Sequence, residues 1–529
     1  MKPFSMKLLA VSTCLLLFIF SSTTGFSAAI DTASLIVTTK QGKVRGTTEQ
    51  NVCVWKGIRY AKAPAGALRF HAPQPAESWT GTKDATAYGA VAVQMKRILV
   101  GKEAQSEDCL FANIWSPAAD GKKRPVMFWI HGGGFIGGSG SSDLYDGAQL
   151  SKNGDVVVVS INYRLGPLGF LYFKDMPNKD NFESNLGIKD QVAALKWVKE
   201  NIAAFGGDPD AITIFGESAG GVSVETLMAL PAAQGLFKRA ITESGPAGDV
   251  WSTKTATLVT TLFLKELGLT TDGLDKLKQL TTDTLVSAMT RLMQKMKSDP
   301  TLPKTFSPTV DGDYLPYDLL TSIKNGQSKG IDLLIGTNKD EANLFAMKKL
   351  KIVPVNEEEL KPYLAKLKPE EKKQLIEAYK DYPSRNSILE LITDGIFTMP
   401  SIKFAELQSA HANTYMYRFD WASKPIKAVG LSACHGLEIP FVFGTFKTKL
   451  GKKVLLFSDH RRIRELSGQI QRAWINFART GDPDTRNFTD WKKYDPTVRC
   501  TLIFDKKNYC ATDPKPEKRK AWGDLNFLE

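Results

Sequence analysis

Short apolar runs alternate with longer amphipathic stretches through most of the 529-residue chain. The short runs predict strands, and the first four are almost entirely apolar, as expected for strands buried on both faces. These predicted strands are Val126–Ile130, Val156–Ile161, Ile212–Phe215, Ala240–Thr242, Leu333–Ile335 and Thr414–Phe419. Alternation of strands with helical segments predicts an α/β protein whose large central sheet is mainly parallel and covered by helices.

Amphipathic spacing predicts helices over Ile188–Phe205, Val222–Leu230 and Ser467–Thr480, and Pro231 and Gly481 provide stop signals. Two lysine-rich stretches, residues 255–300 and 357–382, are also helical by pattern and lie between predicted core strands. No internal repeat or long linker interrupts the sequence. We therefore predict one domain over residues 30–529, with these two stretches as helical insertions.

Residues 1–29 have the pattern of an export signal. Lys2 and Lys7 precede the apolar run Leu8–Phe20, and Ser27-Ala28-Ala29 provides small residues for cleavage. The run is too short to span a bilayer. The sequence thus predicts a secreted or periplasmic protein without a stable membrane anchor.

Removal of that signal leaves an odd number of cysteines, so at least one thiol is expected to be free even in an oxidising compartment. These cysteines are Cys53, Cys109, Cys434, Cys500 and Cys510. Cys500 and Cys510 flank a plausible hairpin turn, and a disulfide between them remains open. Equal spacing about a turn does not place two residues opposite each other.

The formal charge of +13 raises the question of a polyanionic partner. The lysines are scattered and interleaved with acids, as in residues 357–359 and 366–373, instead of forming a basic patch. This arrangement is typical of a solvated surface. We expect no nucleic-acid partner.

The strongest local motif is Gly216-Glu217-Ser218-Ala219-Gly220, which follows a predicted strand and precedes a predicted helix. In this setting a serine is held on a tight strand-to-helix turn with its hydroxyl exposed. Ser218 is therefore the candidate nucleophile. A serine hydroxyl needs a neighbouring base, and a histidine is the usual one.

The order Ser, acid, His along the chain leaves three histidines after Ser218: His411, His435 and His460. His435 precedes Gly436 at a polar-to-apolar loop, which suits a catalytic loop, whereas the other two lie in settings typical of surface or structural residues. The acid of such a triad should follow a core strand. Two adjacent acids, Asp340 and Glu341, follow the predicted strand Leu333–Ile335. The residues alone do not choose between these two acids.

A glycine-rich loop, His131-Gly132-Gly133-Gly134-Phe135, follows the predicted strand that ends at Ile130. Together with the backbone N–H of Ala219, such a loop can donate hydrogen bonds to a developing oxyanion. Gly132, Gly134 and Gly137 also spell a dinucleotide-binding pattern. That interpretation is weak, because a helix should follow the dinucleotide-binding pattern directly, whereas residues 138–142 have the composition of a loop.

Several segments together resemble the type-B carboxylesterases, relatives of cholinesterases and bile-salt-activated lipases. The resemblance runs from about residue 35 to about residue 505. Besides the serine and glycine-rich motifs, it includes residues 57–61, 106–110 and 162–166 and the closing stretch from Trp474 to Pro483. It implies an α/β-hydrolase fold and no metal or organic cofactor.

The resemblance also implies roles for individual residues. It makes Glu341 the triad acid and His435 the base, and it assigns Gly133, Gly134 and Ala219 to the oxyanion hole. Glu217 and Ser244 match residues outside the triad that support the histidine in this family. Structural ion pairs are implied for Arg69 with Glu107 and for Arg164 with Asp190.

The chain departs from the family pattern at three places. Ala92 stands where the family has the cysteine that pairs with the one matched by Cys109, and whether Cys53 substitutes for it is open. The loop between Gln94 and Ser106 contains no tryptophan to hold a quaternary ammonium group, which argues against a cholinesterase. Ala342 replaces a glycine after the triad acid.

The predicted function is hydrolysis of carboxylic esters of small molecules through an acyl-enzyme on Ser218. The same triad could also serve a lipase, an amidase or a thioesterase. Because fold does not fix function, a non-catalytic binding or adhesion module of this fold is a further alternative. The intact Ser218, Glu341 and His435 disfavour it.

Overall fold

The computed structural model describes residues 35–95, 103–448, 451–452, 459–484 and 491–525. The predicted export signal, residues 1–29, lies outside these ranges. The central feature is an 11-stranded sheet. Its strands in chain order are β1 (Thr47–Glu49), β2 (Val52–Arg59), β3 (Phe111–Ser116), β4 (Arg124–Ile130), β5 (Val157–Ile161), β6 (Gly207–Glu217), β7 (Arg239–Glu243), β8 (Asp332–Asn338), β9 (Thr414–Phe419), β10 (Cys500–Phe504) and β11 (Tyr509–Thr512).

The strands lie side by side in the order β1-β2-β3-β5-β4-β6-β7-β8-β9-β10-β11. From β5 to β10 all neighbours are parallel, and the pairs at the two edges are antiparallel. The prediction of a mainly parallel sheet is confirmed, and all six predicted strands belong to it. Because parallel strands end at one edge, β6, β7 and β8 bring their C-terminal residues together there, where ligands bind in open α/β sheets.

Helices cover both faces of the sheet, and further helices lie in or beside residues 255–300 and 357–382. Two smaller sheets lie outside the main sheet. One contains the three strands Ile36–Thr38, Lys43–Arg45 and Thr82–Asp84, and the other contains the two strands Trp251–Ser252 and Thr309–Val310. The α-helices are Ala148–Gly154, Gly166–Phe170, Leu186–Asn201, Ala219–Ala229, Thr253–Glu266, Thr282–Ser298, Leu319–Lys324, Ala342–Phe345, Glu357–Leu364, Pro369–Glu377, Arg385–Thr393, Met399–Ser409, Lys424–Ala428, Ile439–Phe443, His460–Thr480 and Pro516–Trp522.

The predicted helices differ from the observed ones mainly at their ends. The helix predicted up to Phe205 ends at Asn201 and continues as a 3₁₀ turn. The last predicted helix begins earlier than expected, at His460, because the Asp459 carboxylate caps it by accepting from the N–H groups of Arg461 and Arg462. No helix in the described ranges is long and apolar enough to cross a membrane.

Buried side chains form two apolar layers, one on each face of the sheet. Residues that alternate along β4 show the division, since Val126, Phe128 and Ile130 belong to one layer and Met127 and Trp129 to the other. Strands buried on both faces explain why these segments read as continuous apolar runs in the sequence.

Cysteine placement differs from the family pattern, as the sequence suggests. Cys53, Cys109 and Cys434 are buried thiols, so Cys53 does not replace the partner that Ala92 removes from Cys109. In the β10–β11 hairpin Cys500 lies opposite Thr512, whereas Cys510 lies opposite Leu502. The register offsets Cys500 and Cys510 by two residues, so they are not direct cross-strand partners.

The structure contains both predicted ion pairs. Asp190 is fully buried and accepts from the Nε atom of Arg164 at 2.8 Å, from its Nη2 atom at 2.7 Å and from its backbone N–H at 3.0 Å. Arg69 donates from Nε to Glu107 at 2.7 Å and from Nη1 to the carbonyl of Leu280 at 2.7 Å. The former pair ties the loop after β5 to the helix Leu186–Asn201.

Asp190→Asn is expected to lower the free energy of unfolding by about 3–5 kcal/mol, because it leaves the buried Arg164 guanidinium without a countercharge. Urea denaturation followed by circular dichroism measures this change. Asp210→Asn is the matched control, since Asp210 is 83% exposed in its pair with Lys199 and should change stability by only about 0–1 kcal/mol. Equal losses in the two variants would contradict the assigned role of Asp190.

Candidate active site

Ser218 lies on a strained turn between β6 and the helix Ala219–Ala229. Its backbone angles are φ 58° and ψ −124°, a region that non-glycine residues rarely occupy. A Cβ atom on Gly220 would lie 2.0 Å from the carbonyl oxygen of Ile130, and one on Gly216 would lie 2.5 Å from that of Gly220. Close backbone packing therefore explains both motif glycines, and the predicted strand–turn–helix setting is confirmed.

Glu341 and His435 meet directly at this edge of the sheet. The Nδ1 atom of His435 lies 2.7 Å from Oε2 of Glu341, and both side chains are buried. The other carboxylate oxygen of Glu341 accepts from the Ser244 hydroxyl and the Asn338 backbone N–H, both at 2.6 Å. Three polar contacts thus fix the carboxylate that contacts the imidazole.

The structure separates the candidates that sequence reasoning left open. Asp340 turns away from the histidine and accepts from the backbone N–H of Ala433 at 3.2 Å. His411 lies beside Gly326, and His460 lies at the exposed start of its helix. Of the predicted acids and bases, only Glu341 and His435 are brought together.

The opposite edge of the His435 imidazole faces the turn that carries Ser218. Its Nε2 atom lies 3.1 Å from Oε1 of Glu217, the residue directly before Ser218. Ser244 lies behind Glu341, so the two predicted supporting residues contact different members of the site. Glu217 contacts His435, and Ser244 contacts Glu341.

Two aromatic side chains that the sequence analysis did not identify pack against His435. The rings of Phe345 and Phe397 lie 4.9 Å and 5.0 Å from the imidazole, and they stack on each other at 6.0 Å. Phe397 belongs to a π-helical turn, Asp394–Thr398, between two α-helices. Such turns recur at functional sites, but the contact joins distant segments and leaves no local signal in the sequence.

The glycine-rich loop after β4 packs directly on the Ser218 turn. A Cβ atom on Gly132 would lie 2.5 Å from the Glu217 carbonyl oxygen and 3.1 Å from the Ser218 Cβ atom. Gly133 and Gly134 have φ values of 117° and 62°, which suit glycine. The next α-helix begins only at Ala148, so the loop does not open a helix as a dinucleotide-binding turn would.

Electrostatics around the site depend on buried carboxylates. Burial alone would lower the pKa of His435, but the adjacent carboxylates of Glu217 and Glu341 outweigh it and raise this pKa above its ordinary value. Burial raises the pKa of Glu217 to about 7. His131, which stacks on Tyr163 at the start of the glycine-rich loop, has a pKa lowered by burial to about 4 and is neutral.

We expect the acidic limb of the pH profile of kcat/KM to have a midpoint above about 6.5, the ordinary histidine pKa. Only the neutral imidazole can accept a proton, and the two carboxylates favour its charged form. The same shift stabilises the fold below the ordinary pKa, and this contribution is lost as pH rises through the shifted value. Initial rates on p-nitrophenyl butyrate across pH test this, and a midpoint well below 6.5 would contradict it.

The doubly covered sheet, the strained serine turn and the acid–histidine contact at the C-terminal ends of its strands define an α/β-hydrolase. The sequence profile of the carboxylesterase family matches residues 33–522. The chain therefore belongs to the carboxylesterase family and is a carboxylic ester hydrolase. In the part of the chain that the structure describes, no cluster of three or more His, Cys, Asp or Glu residues could hold a metal ion.

Similar proteins include several esterases. The para-nitrobenzyl esterase of Bacillus subtilis is 43% identical over 92% of this chain and 98% of its own length, and the rabbit (Oryctolagus cuniculus) cocaine esterase is 34% identical over 88% and 91%. A solved structure of PNB esterase superposes with a TM-score of 0.84 at 42% identity, covering 92% of this chain and 99% of that chain. A Geobacillus stearothermophilus carboxylesterase gives 0.83 at 40% identity, covering 92% and 100%.

Proposed function

We propose that Ser218, His435 and Glu341 form a catalytic triad that transfers the acyl group of an ester to water. The observation that carries the proposal is the geometry of His435. Its Nδ1 atom contacts a carboxylate fixed by two further donors, and its Nε2 edge faces the strained turn that carries the serine. This is the relation that a serine nucleophile, its base and an orienting acid require.

In the first half of the reaction the Ser218 hydroxyl oxygen attacks the ester carbonyl carbon, and His435 Nε2 accepts the hydroxyl proton. The tetrahedral intermediate then expels the alcohol, which receives that proton from His435. In the second half a water molecule attacks the acyl carbon and gives a proton to His435, and Ser218 leaves with the proton returned. Glu341 holds the imidazole in one tautomer and stabilises its charged form.

The backbone N–H groups of Gly133, Gly134 and Ala219 are proposed to bind the oxyanion of each tetrahedral intermediate. Gly133 and Gly134 lie in the loop that packs on the Ser218 turn, and Ala219 begins the helix after it. Donors fixed by the backbone stabilise the developing charge without reorganising during the reaction. No metal ion or organic cofactor takes part in the proposed mechanism.

Small neutral esters with an apolar or aromatic group are the proposed substrates. The rings of Phe345 and Phe397 beside His435 favour such a group, and the similar Bacillus subtilis protein is named a para-nitrobenzyl esterase. Lipase, amidase and thioesterase activities would use the same triad and differ in acyl and leaving groups.

A substrate panel separates these activities. The panel contains p-nitrophenyl acetate, butyrate and octanoate, a p-nitrobenzyl ester, a p-nitroanilide, a thioester and an emulsified triglyceride. The proposal predicts the highest kcat/KM on the soluble oxygen esters. Preference for the emulsion or the anilide would replace esterase with lipase or amidase, and a folded protein inactive on every substrate would favour a binding module.

We also propose that the protein is exported and that cleavage near Ala29 removes residues 1–29. The charged start, the short apolar run and the small residues of this segment support the proposal. Expression of the full chain in a Gram-negative host should place a shortened protein in the periplasm or medium, with its new N-terminus near residue 30 by mass spectrometry. A cytoplasmic protein that retains Met1 would contradict export.

A further inference from the structure

A group of buried acids lies behind the proposed triad. β6 and β7 pair in parallel, so that Glu217 and Glu243, the last residue of each strand, lie side by side on one face of the sheet. Glu438 follows His435 by three residues and precedes the helix Ile439–Phe443. The three residues are only 5%, 0% and 2% exposed, so their carboxyl groups are largely shielded from bulk water.

These carboxyl groups have few partners. The indole Nε1 of Trp474 donates to Oε1 of Glu243 at 2.8 Å, and the side-chain amide of Asn338 donates to Oε2 of Glu438. In the described part of the chain, the second oxygens of Glu243 and Glu438 have no hydrogen-bond partner, and Oε1 of Glu217 faces only the Nε2 atom of His435 at 3.1 Å. Within the described ranges, no lysine or arginine forms an ion pair with any of the three.

Three negative charges beside a single imidazole, with no lysine or arginine paired to them in the described ranges, would be very unfavourable, so protons must neutralise part of the group. The pKa of Glu243 is raised to about 8: burial raises it most, the Trp474 hydrogen bond acts in the opposite direction, and the neighbouring Glu217 adds to the increase. The ionisable groups that face this cluster are one acid, two phenols, one thiol and one histidine: Glu341, Tyr145, Tyr417, Cys434 and His435.

We propose that Glu243 is a positioning residue that remains a neutral carboxylic acid in the working enzyme and thereby limits the negative charge facing His435. The proposal rests on the proposed triad. Because Trp474 donates to Oε1, this oxygen is the acceptor, and the proton is carried by Oε2. At alkaline pH this proton leaves to the solvent and a carboxylate remains.

Ionisation of Glu243 would disturb the site in two ways. The new charge repels the carboxylates of Glu217 and Glu341, which hold the two edges of the imidazole. Moreover, the backbone carbonyl of Glu243 accepts from the Ser218 N–H at 2.9 Å, so movement of this residue would reach the nucleophile turn. Activity should therefore fall as Glu243 loses its proton.

Glu225 provides a matched control on the other side of the sheet. It is also fully buried and accepts from the Thr242 hydroxyl at 2.9 Å through one oxygen, and its other oxygen has no hydrogen-bond partner among the residues that the structure describes. Thr242 directly precedes Glu243, and adjacent strand residues point to opposite faces. Glu225→Gln therefore removes a comparable buried carboxyl group away from the triad.

The experiment compares the wild type with Glu243→Gln and Glu225→Gln in the mature protein. We expect Glu243→Gln to keep kcat/KM at pH 7 within about threefold, because glutamine resembles the neutral acid. The wild-type rate should decline above about pH 8. That decline should be absent in Glu243→Gln and unchanged in Glu225→Gln. An unchanged alkaline decline in Glu243→Gln, or a folded but inactive variant, would overturn the proposal.

Infrared spectroscopy tests the proton without relying on turnover. At pH 7 the wild type should show protonated-carboxyl C=O absorption, and part of it should be missing in Glu243→Gln. In the wild type that same part should be lost with a midpoint near pH 8, while Glu225 and Glu438, whose pKa values burial raises well above the ordinary range, continue to absorb. Thermal melting gives a second readout. When folding raises the pKa of a carboxyl group, the folded protein loses stability relative to the unfolded chain as pH rises from the ordinary pKa to the raised one. Glu243→Gln lacks this group, so its melting temperature should increase relative to that of the wild type as pH rises through this range. If the infrared band does not change in this way, the proposal for Glu243 is wrong. If the band changes as expected but the protein hydrolyses no ester, the proposed catalytic triad is wrong and the neutral state of Glu243 is not.

Discussion

Ser218→Ala is expected to lower kcat/KM on p-nitrophenyl butyrate by about 10⁴–10⁶-fold, the range found when triad members are removed from serine hydrolases. Without the hydroxyl no acyl-enzyme can form, and only the oxyanion donors and substrate binding continue to accelerate attack by water. Alanine fits the same turn, so the circular dichroism spectrum should be unchanged. Initial rates with purified protein, corrected for spontaneous hydrolysis, measure the effect.

The control for this variant is Ser223→Ala, one turn along the helix that begins at Ala219. The Ser223 hydroxyl is buried and donates to the carbonyl of Ala219 at 2.9 Å, but it does not contact Glu341 or His435. We expect Ser223→Ala to retain activity within about tenfold, because it removes hydrogen bonds with Gln191 and the Ala219 carbonyl but no contact with Glu341 or His435. Equal activities in the Ser218 variant and the wild type would refute the nucleophile assignment.

Glu341→Gln is expected to lower kcat by about 10⁴-fold, as the corresponding acid-to-amide change does in another serine hydrolase. Glutamine has one acceptor oxygen, whereas Glu341 accepts from both the Ser244 hydroxyl and the Asn338 N–H and contacts His435 Nδ1. An amide nitrogen must therefore face a donor or force the other imidazole tautomer. Single-turnover rates on p-nitrophenyl acetate separate this loss from weaker substrate binding.

Asp340→Asn makes the same chemical change one residue earlier and tests the choice that the sequence left open. The Asp340 carboxylate accepts from the Ala433 backbone N–H, and the amide oxygen of asparagine can still do so. Its activity should remain within about tenfold of the wild type, since the base keeps its orientation. If Asp340→Asn lost as much activity as Glu341→Gln, the acid assignment would be wrong.

Local sequence patterns were sufficient to predict most of the fold. Continuous apolar runs identified the parallel strands because these strands are buried on both faces, and the Ser218 motif was recognisable because its glycines, strand and helix are contiguous in sequence. Helix ends were less predictable, since a capping side chain such as Asp459 decides where the helix begins. The offset between Cys500 and Cys510 likewise depends on hairpin register, which spacing alone does not determine.

Long-range contacts account for what the sequence did not predict. Physical reasoning from the residues could not choose between Asp340 and Glu341, because the direction of each side chain depends on the backbone beyond β8. Phe397 reaches His435 from a helix 38 positions earlier in the chain, and Glu243 meets Trp474 across 231 positions. No local sequence pattern predicts either contact, because nothing in the neighbouring residues distinguishes Phe397 or Glu243 from other residues of the same helix or strand.

The most direct test of the central claim is covalent trapping of the nucleophile. The mature protein is treated with a p-nitrophenyl phosphonate ester, which leaves a stable phosphonyl group on an activated serine, and then digested for peptide mapping by mass spectrometry. If Ser218 is the nucleophile, we expect one label per chain, located on Ser218, with p-nitrophenol release and loss of esterase activity in equal proportion and no label on Ser218→Ala. Labelling of another residue, or esterase activity that persists when Ser218 is fully labelled, would contradict it.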